Sequence, residues 1–307
     1  MIAPLLPPAL KKGDTVAIVA PAGQLSSKRL FGQGVEILQQ MEFRVIFPRN
    51  LWPGKSYLAD SDENRGFEFN TLLRNPDIHG LVSLRGGFGC LRMIDKIDLK
   101  QVQKNPKIIA GFSDITILQN FLIQQTGLVT MHGPVLTSLA TSTDLTLKRF
   151  FQCLAGHWLT EIDISGIEVL QKSNTVTAPL IGGNLASLVT LLGTPYDFKW
   201  DGKIVVLEDT NEPLYKVDRM LTQLDLAGKF ARLSGLILGN FSGSVNAGDT
   251  EKHQYIESIW DRVTDICKQS NYPIWGNFPI GHCPENLTLP LGSYAQMDSK
   301  NKRLLFS

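Results

Sequence analysis

Residues 107–127, KIIAGFSDITILQNFLIQQTG, pass from a short apolar run through Gly111, Phe112 and Ser113 into a helical pattern that Gly127 closes. The run at 107–113 reads as a buried strand, and Ile115, Leu118 and Leu122 recur at helical spacing after Asp114. The same alternation extends upstream. TVAIVAPAG (15–23) is a strand ending in a Pro/Gly turn, 27–41 a helix, FRVIFP (43–48) a second strand, and 62–76 a helix ended by Asn-Pro. IHGLVSLRGGFG (78–89) is a strand running into a glycine turn, 91–99 a short helix, and LVTMHGPVL (128–136) resumes the extended pattern. Strands alternating with helices of this length predict right-handed βαβ units and an α/β fold with a parallel sheet covered on both faces.

The character changes after about residue 140. One more helix, at TSTDLTLKRFFQCLAG, is followed by β-branched pieces with turn residues between them. Helices at 184–193, 215–228 and 251–269, strands at 202–209 and 233–241, and a Pro/Gly-rich C-terminal stretch then predict a second, mixed α/β domain. The expected organisation is a first domain over 1–155, a linker over 156–176, and a second domain over 177–307.

Composition narrows the partners. The chain has 307 residues, 43% apolar and 19% charged, with 30 basic against 29 acidic side chains. A near-neutral surface without a dense Lys/Arg run is not built to neutralise phosphates, and nucleic acid is not expected as a partner. The four cysteines (Cys90, Cys153, Cys267, Cys283) stand singly, without a Cys-x-x-Cys pair. They read as reduced thiols of a cytoplasmic protein. No cofactor or metal is expected: RGGFG matches neither a dinucleotide fingerprint nor a phosphate loop, and no recognised metal-ligand spacing occurs. The N-terminal stretch is proline-broken, with its lysines after the apolar start, unlike a secretory signal. No stretch approaches the roughly 18 apolar residues that would span a bilayer.

Chemistry concentrates at three places. A strand turning sharply into a helix presents a side chain beside unsatisfied helix amides, which suits Ser113 to nucleophilic attack. Serine is also an ordinary helix cap, and Ile115 stands where the Gly-x-Ser-x-Gly elbow would have its second glycine. Gly86 and Gly87, after a parallel strand, fall at the sheet edge where open α/β sheets bind ligands. For a base, His282, in a loop fixed by Pro279, Gly281 and Pro284, competes with His132 at a strand's end. VVLED (205–209) offers Glu208 and Asp209 as orienting carboxylates.

RGGFGCLR (85–92), GFSDIT (111–116), LEDTNEPLYKVDRML (207–221) and GNFPIGHC (276–283), with APAG (20–23) and IGGNLASL (181–188), together resemble the LD-carboxypeptidase family. This serine peptidase group includes murein tetrapeptide carboxypeptidases and microcin C self-immunity proteins. The resemblance implies Ser113 as nucleophile, Glu208 as triad acid and His282, rather than His132, as base. It implies an oxyanion hole from the backbone amides of Gly87 and Asp114; a carboxypeptidase must also bind a free carboxylate, and Arg85 or Arg92, flanking the turn at Gly86, are the residues suited to do so bidentately. The implied fold is a Rossmann-like N-terminal domain, similar to class I glutamine amidotransferases, joined to a smaller C-terminal domain, with the site between them and a homodimeric assembly. The implied activity is release of the terminal D-alanine from cytoplasmic muropeptide tetrapeptides. The alternative is the immunity-type amidase acting on peptidyl or aminoacyl adenylates, which wants an aromatic residue and an extra loop to stack the adenine; it ranks second because no long insertion between 140 and 180 offers a Trp beyond Trp158.

Overall fold

The computed structural model describes residues 2–164, 166–243 and 248–307. Two compact units emerge, Met1–Trp158 with Pro284–Gly292, and Leu159–Cys283 with Ser293–Ser307.

In the first unit the chain runs β1 (Thr15–Val19), α1 (Lys28–Gln40), β2 (Arg44–Ile46), α2 (Asp62–Arg74), β3 (Gly80–Ser83), α3 (Leu99–Lys104), β4 (Ile108–Gly111), α4 (Ile115–Thr126), β5 (Thr130–His132), α5 (Leu136–Leu139) and α6 (Asp144–Leu154). Ser27 and Ser61 cap α1 and α2 by accepting from Leu30 N and Asn64 N. β1 pairs in parallel with both β2 and β3, and β4 and β5 extend the sheet beyond β3. The strands are apolar on both faces because both are covered: Val16, Ile18, Val82, Ile108 and Ala110 join Leu38 of α1 and Phe150 of α6 in one core. Strand order reverses between β1 and β3, and the turns after these two strands are APAG and RGGFG. Such a switch point is where an open parallel sheet leaves a crevice for ligands.

In the second unit lie β6 (Ile162–Asp163), β7 (Glu168–Gln171), β8 (Val176–Asn184), α7 (Leu185–Val189), β9 (Ile204–Thr210), α8 (Leu214–Leu226), β10 (Gly235–Ser242), α9 (Asp249–Ile266) and β11 (Ile274–Gly276). β12 (Leu289–Leu291) then returns to the first unit, before β13 (Tyr294–Asp298) and β14 (Arg303–Phe306) complete the second. The eight-stranded sheet has order β6-β14-β13-β8-β9-β10-β11-β7. Its central strands β8 to β11 are parallel, and the flanking ones pair antiparallel.

Three local expectations differ from the structure. Residues 91–99 form two 3-10 turns, Cys90–Arg92 and Ile94–Lys96, and the regular helix is α3, started by the Asp98 side chain accepting from Gln101 N. The stretch 156–176, read as a linker, contributes β6 and β7, because its β-branched pieces find free sheet edges on β14 and β11. The Pro-rich stretch 284–292 belongs to the first unit, where Leu289 pairs opposite His132. Among the described residues no helix is long and apolar enough to cross a membrane.

Candidate active site

Ser113 joins β4 to α4 with φ at +65°. A residue with a Cβ rarely adopts the left-handed region, so this backbone is held in place by its surroundings at a cost of about 1–2 kcal/mol. The reason is local. Buried β4 must end at Gly111, and α4 must start at once to bury Ile115, Leu118 and Leu122. Asp114 is the helix's N-cap residue, and no side chain caps the helix start. Ser113 contributes only its carbonyl, which accepts from Thr116 N at 2.9 Å. The hydroxyl is thus not spent as a helix cap; the side chain is half-buried and faces Gly86.

The glycine turn packs directly on this side chain. A Cβ at Gly86 would stand 2.6 Å from Ser113 Cβ, 2.7 Å from its Oγ and 3.5 Å from the Asp114 nitrogen. Gly86 O accepts from Gly23 N at 3.1 Å. Across a trans peptide the next N–H points the opposite way, so the Gly87 N–H is aimed away from Gly23. Among the described residues neither the Gly87 nor the Asp114 N–H donates a hydrogen bond.

Two buried charges hold the turns together, and neither role was legible in the sequence. Arg65 of α2 is fully buried and donates to Asp60 O, Pro21 O, Gly89 O and Asp62 Oδ1, tying the APAG turn to the glycine turn. The buried Asp114 carboxylate accepts from Cys90 N at 2.8 Å. Burial pushes the Asp114 pKa up, against the lowering pull of its hydrogen bonds to Cys90 and of the Arg65 charge. The two arginines beside the turn differ. Arg92 directs Nε and Nη2 at Asp62 Oδ2, 3.1 and 2.9 Å away, and Nη1 at the Tyr57 hydroxyl. Arg85 donates Nη1 to Gln24 O at 3.3 Å.

In the second unit, Glu208 and His282 meet. Glu208 is fully buried on β9, and its Oε2 lies 2.8 Å from His282 Nδ1, with His282 partly exposed. A carboxylate only accepts, so Nδ1 carries the ring proton and Nε2 is the basic nitrogen. The approach depends on Gly281, whose φ is +113° and whose Cβ would fall 2.9 Å from Glu208 Oε2. Asn240 N donates to Ile280 O, and Cys283 N closes a tight turn on Gly281 O around the histidine. Burial acts to lower the His282 pKa, but the Glu208 charge and hydrogen bond, helped by Asp209, leave it raised above 6.5.

Asp209, the neighbouring carboxylate, points elsewhere. It accepts from Asn184 Nδ2 and Ala186 N, bracing the start of α7 against β9; burial, then the Glu208 charge, pushes its pKa up to about 6. Asn184 also caps α7, its side chain accepting from Ser187 N at 3.0 Å. His132, the rival base, is fully buried in the first unit with its ring edge-on to Phe112 at 6.2 Å. A cavity of about 450 Å³ adjoins His282 in the second unit, lined in part by Thr210, Asn240, Ser242 and Tyr255. Trp158 is buried.

Comparison with known proteins identifies the family. Residues 16–133 match the LD-carboxypeptidase N-terminal domain, and residues 177–297 the LD-carboxypeptidase C-terminal domain. A probable murein peptide carboxypeptidase of Bacillus subtilis is 32% identical over 302 residues, covering 96% of this chain and 92% of the relative. The murein tetrapeptide carboxypeptidase of Pseudomonas aeruginosa is 28% identical over 94% of each chain. The crystal structure of an MccF-like protein from Bacillus anthracis superposes with a TM-score of 0.87 at 25% identity, covering 98% of both chains.

Proposed function

The chain belongs to the LD-carboxypeptidase family of serine-type carboxypeptidases, and on that premise we propose that it releases the terminal D-alanine from muropeptide tetrapeptides, a reaction of peptidoglycan recycling. Ser113 is the nucleophile, His282 its base and Glu208 the orienter of that base. His282 Nε2 takes the hydroxyl proton as Ser113 Oγ attacks the scissile carbonyl. The tetrahedral oxyanion is received by the Gly87 and Asp114 N–H groups. His282 then returns the proton to the departing amine, and water resolves the acyl-enzyme by the same route. Glu208 fixes the Nδ1–H tautomer and stabilises the imidazolium formed in each half-reaction.

The observation that carries this reading is the backbone of Ser113: a left-handed, half-buried serine at a strand-to-helix elbow, its hydroxyl facing a glycine turn instead of capping the helix. The adenylate-amidase alternative is the second reading; Trp158, the aromatic residue considered for stacking an adenine, is buried. Incubation with a muramyl tetrapeptide should yield free D-alanine by mass spectrometry, and Ser113→Ala should abolish it. Full D-alanine release by Ser113→Ala would refute the mechanism. Cleavage of an aminoacyl sulfamoyl adenosine with no D-alanine release would establish the alternative.

A further inference from the structure

We propose that Arg85 is the specificity-determining cation that receives the free terminal carboxylate of the substrate and so confines Ser113 to the last peptide bond. The assignment rests on the peptidase reading above and chooses between the two arginines that sequence leaves equivalent.

Position comes first. Arg85 lies at the switch point of the first sheet, directly before Gly86, whose backbone packs on the Ser113 side chain. Its Nε is 3.4 Å from where a Cβ would stand on Gly23, and its Nη2 4.0 Å from the corresponding point on Gly87. The guanidinium therefore lies between the two glycine turns, approachable because neither turn carries a side chain there. In a C-terminal residue the carboxylate carbon is three covalent bonds beyond the scissile carbonyl carbon, a reach on the order of 4 Å. A group that holds this carboxylate has to sit close to the nucleophile, and Arg85 directly precedes the glycine whose backbone packs on Ser113.

Charge comes second. Arg49 pairs with Glu68 and Asp60, Arg65 with Asp62, and Arg92 with the other oxygen of the same Asp62. Among the described residues no carboxylate lies within ion-pair distance of Arg85, and the hydrogen bond it makes is the one to the Gln24 carbonyl. Its remaining donors suit the planar fork of a carboxylate. The desolvation of a half-buried guanidinium is offset when such an anion arrives.

The test compares a tetrapeptide ending in free D-alanine with the same peptide ending in D-alaninamide, for wild type, Arg85→Gln and Arg85→Lys. Hydrogen bonds to charged groups of this kind correspond to roughly 10- to 100-fold in kcat/KM. Wild type should prefer the acid by that factor, Arg85→Gln should bring the ratio close to one, and Arg85→Lys should restore part of it. The ratio is the readout because a merely structural role would lower both rates together. Survival of the preference in Arg85→Gln, or equal loss on both peptides, overturns the assignment. A wild type that cleaves neither peptide overturns the peptidase reading and, with it, this assignment.

Discussion

Replacing Gly86 with alanine tests whether the glycine turn sets the position of the nucleophile. The added Cβ would stand 2.6 Å from Ser113 Cβ and 2.7 Å from Oγ, where carbon atoms normally rest at about 3.5–4.0 Å. Gly86 is not among the positive-φ glycines, so alanine is conformationally acceptable and the whole effect is steric. Relief requires about 1 Å of movement, shared between the turn and the serine elbow. The turn cannot yield freely, because Arg65 and the Asp114 carboxylate anchor its far end at Gly89 and Cys90. Displacement of a reacting group by about 1 Å costs on the order of 10²-fold in rate, near 2.7 kcal/mol of transition-state stabilisation. Overpacking costs about 1–3 kcal/mol of stability besides. The assay is the rate at which a fluorophosphonate probe labels Ser113, which requires no peptide, alongside a denaturation curve. Gly13→Ala is the control. It has a φ of +83° and nothing within 4 Å of a new Cβ, and should lose about 1–2 kcal/mol of stability with labelling unchanged. Folded Gly86→Ala protein that labels within twofold of wild type would refute the claim that this turn positions the serine.

Further outcomes follow from the charges. Glu208→Gln removes the charge that raises the His282 pKa and leaves the burial that lowers it. The acid limb of kcat/KM, expected above pH 6.5 in wild type, should move to lower pH while the plateau falls by about 10²–10⁴-fold. A folded-state pKa raised above the unfolded value contributes stability that is complete below 6.5 and lost as pH rises through the folded value. Glu208→Gln should accordingly be more destabilising at pH 6 than at pH 9 in urea titrations, and an unmoved acid limb would exclude His282 as the titrating base. Asp114→Ala strands the Cys90 N–H and should cost about 1–3 kcal/mol by thermal unfolding, whereas Asp114→Asn keeps an acceptor and should recover most of it.

The sequence by itself determined the alternating strands and helices of the first unit, because buried parallel strands and amphipathic helices leave their period in the order of apolar residues. β1, β4 and α4 fall where that period puts them, and Gly127 closes α4 in the left-handed backbone that glycine favours. The elbow at Ser113 was legible for the same reason, since a strand and a helix with one residue to spare leave few backbone solutions. Only the tertiary structure decided the rest. The antiparallel return of 284–292 onto β5, and the pairing of β6 and β7 with β14 and β11, depend on which sheet edges remain open; no local pattern records that. Arg65 and Arg92 look like surface residues in sequence. Arg65 is buried by contacts to Pro21 and Gly89, 44 and 24 residues away, while Arg92 stays exposed and reaches Asp62 across 30 residues. The Glu208–His282 pair spans 74 residues, and its 2.8 Å contact exists because Gly281 lets one loop press onto one strand end. Periodicity is a property of neighbours along the chain, whereas a buried charge meets its partner only through the packing of segments distant in sequence.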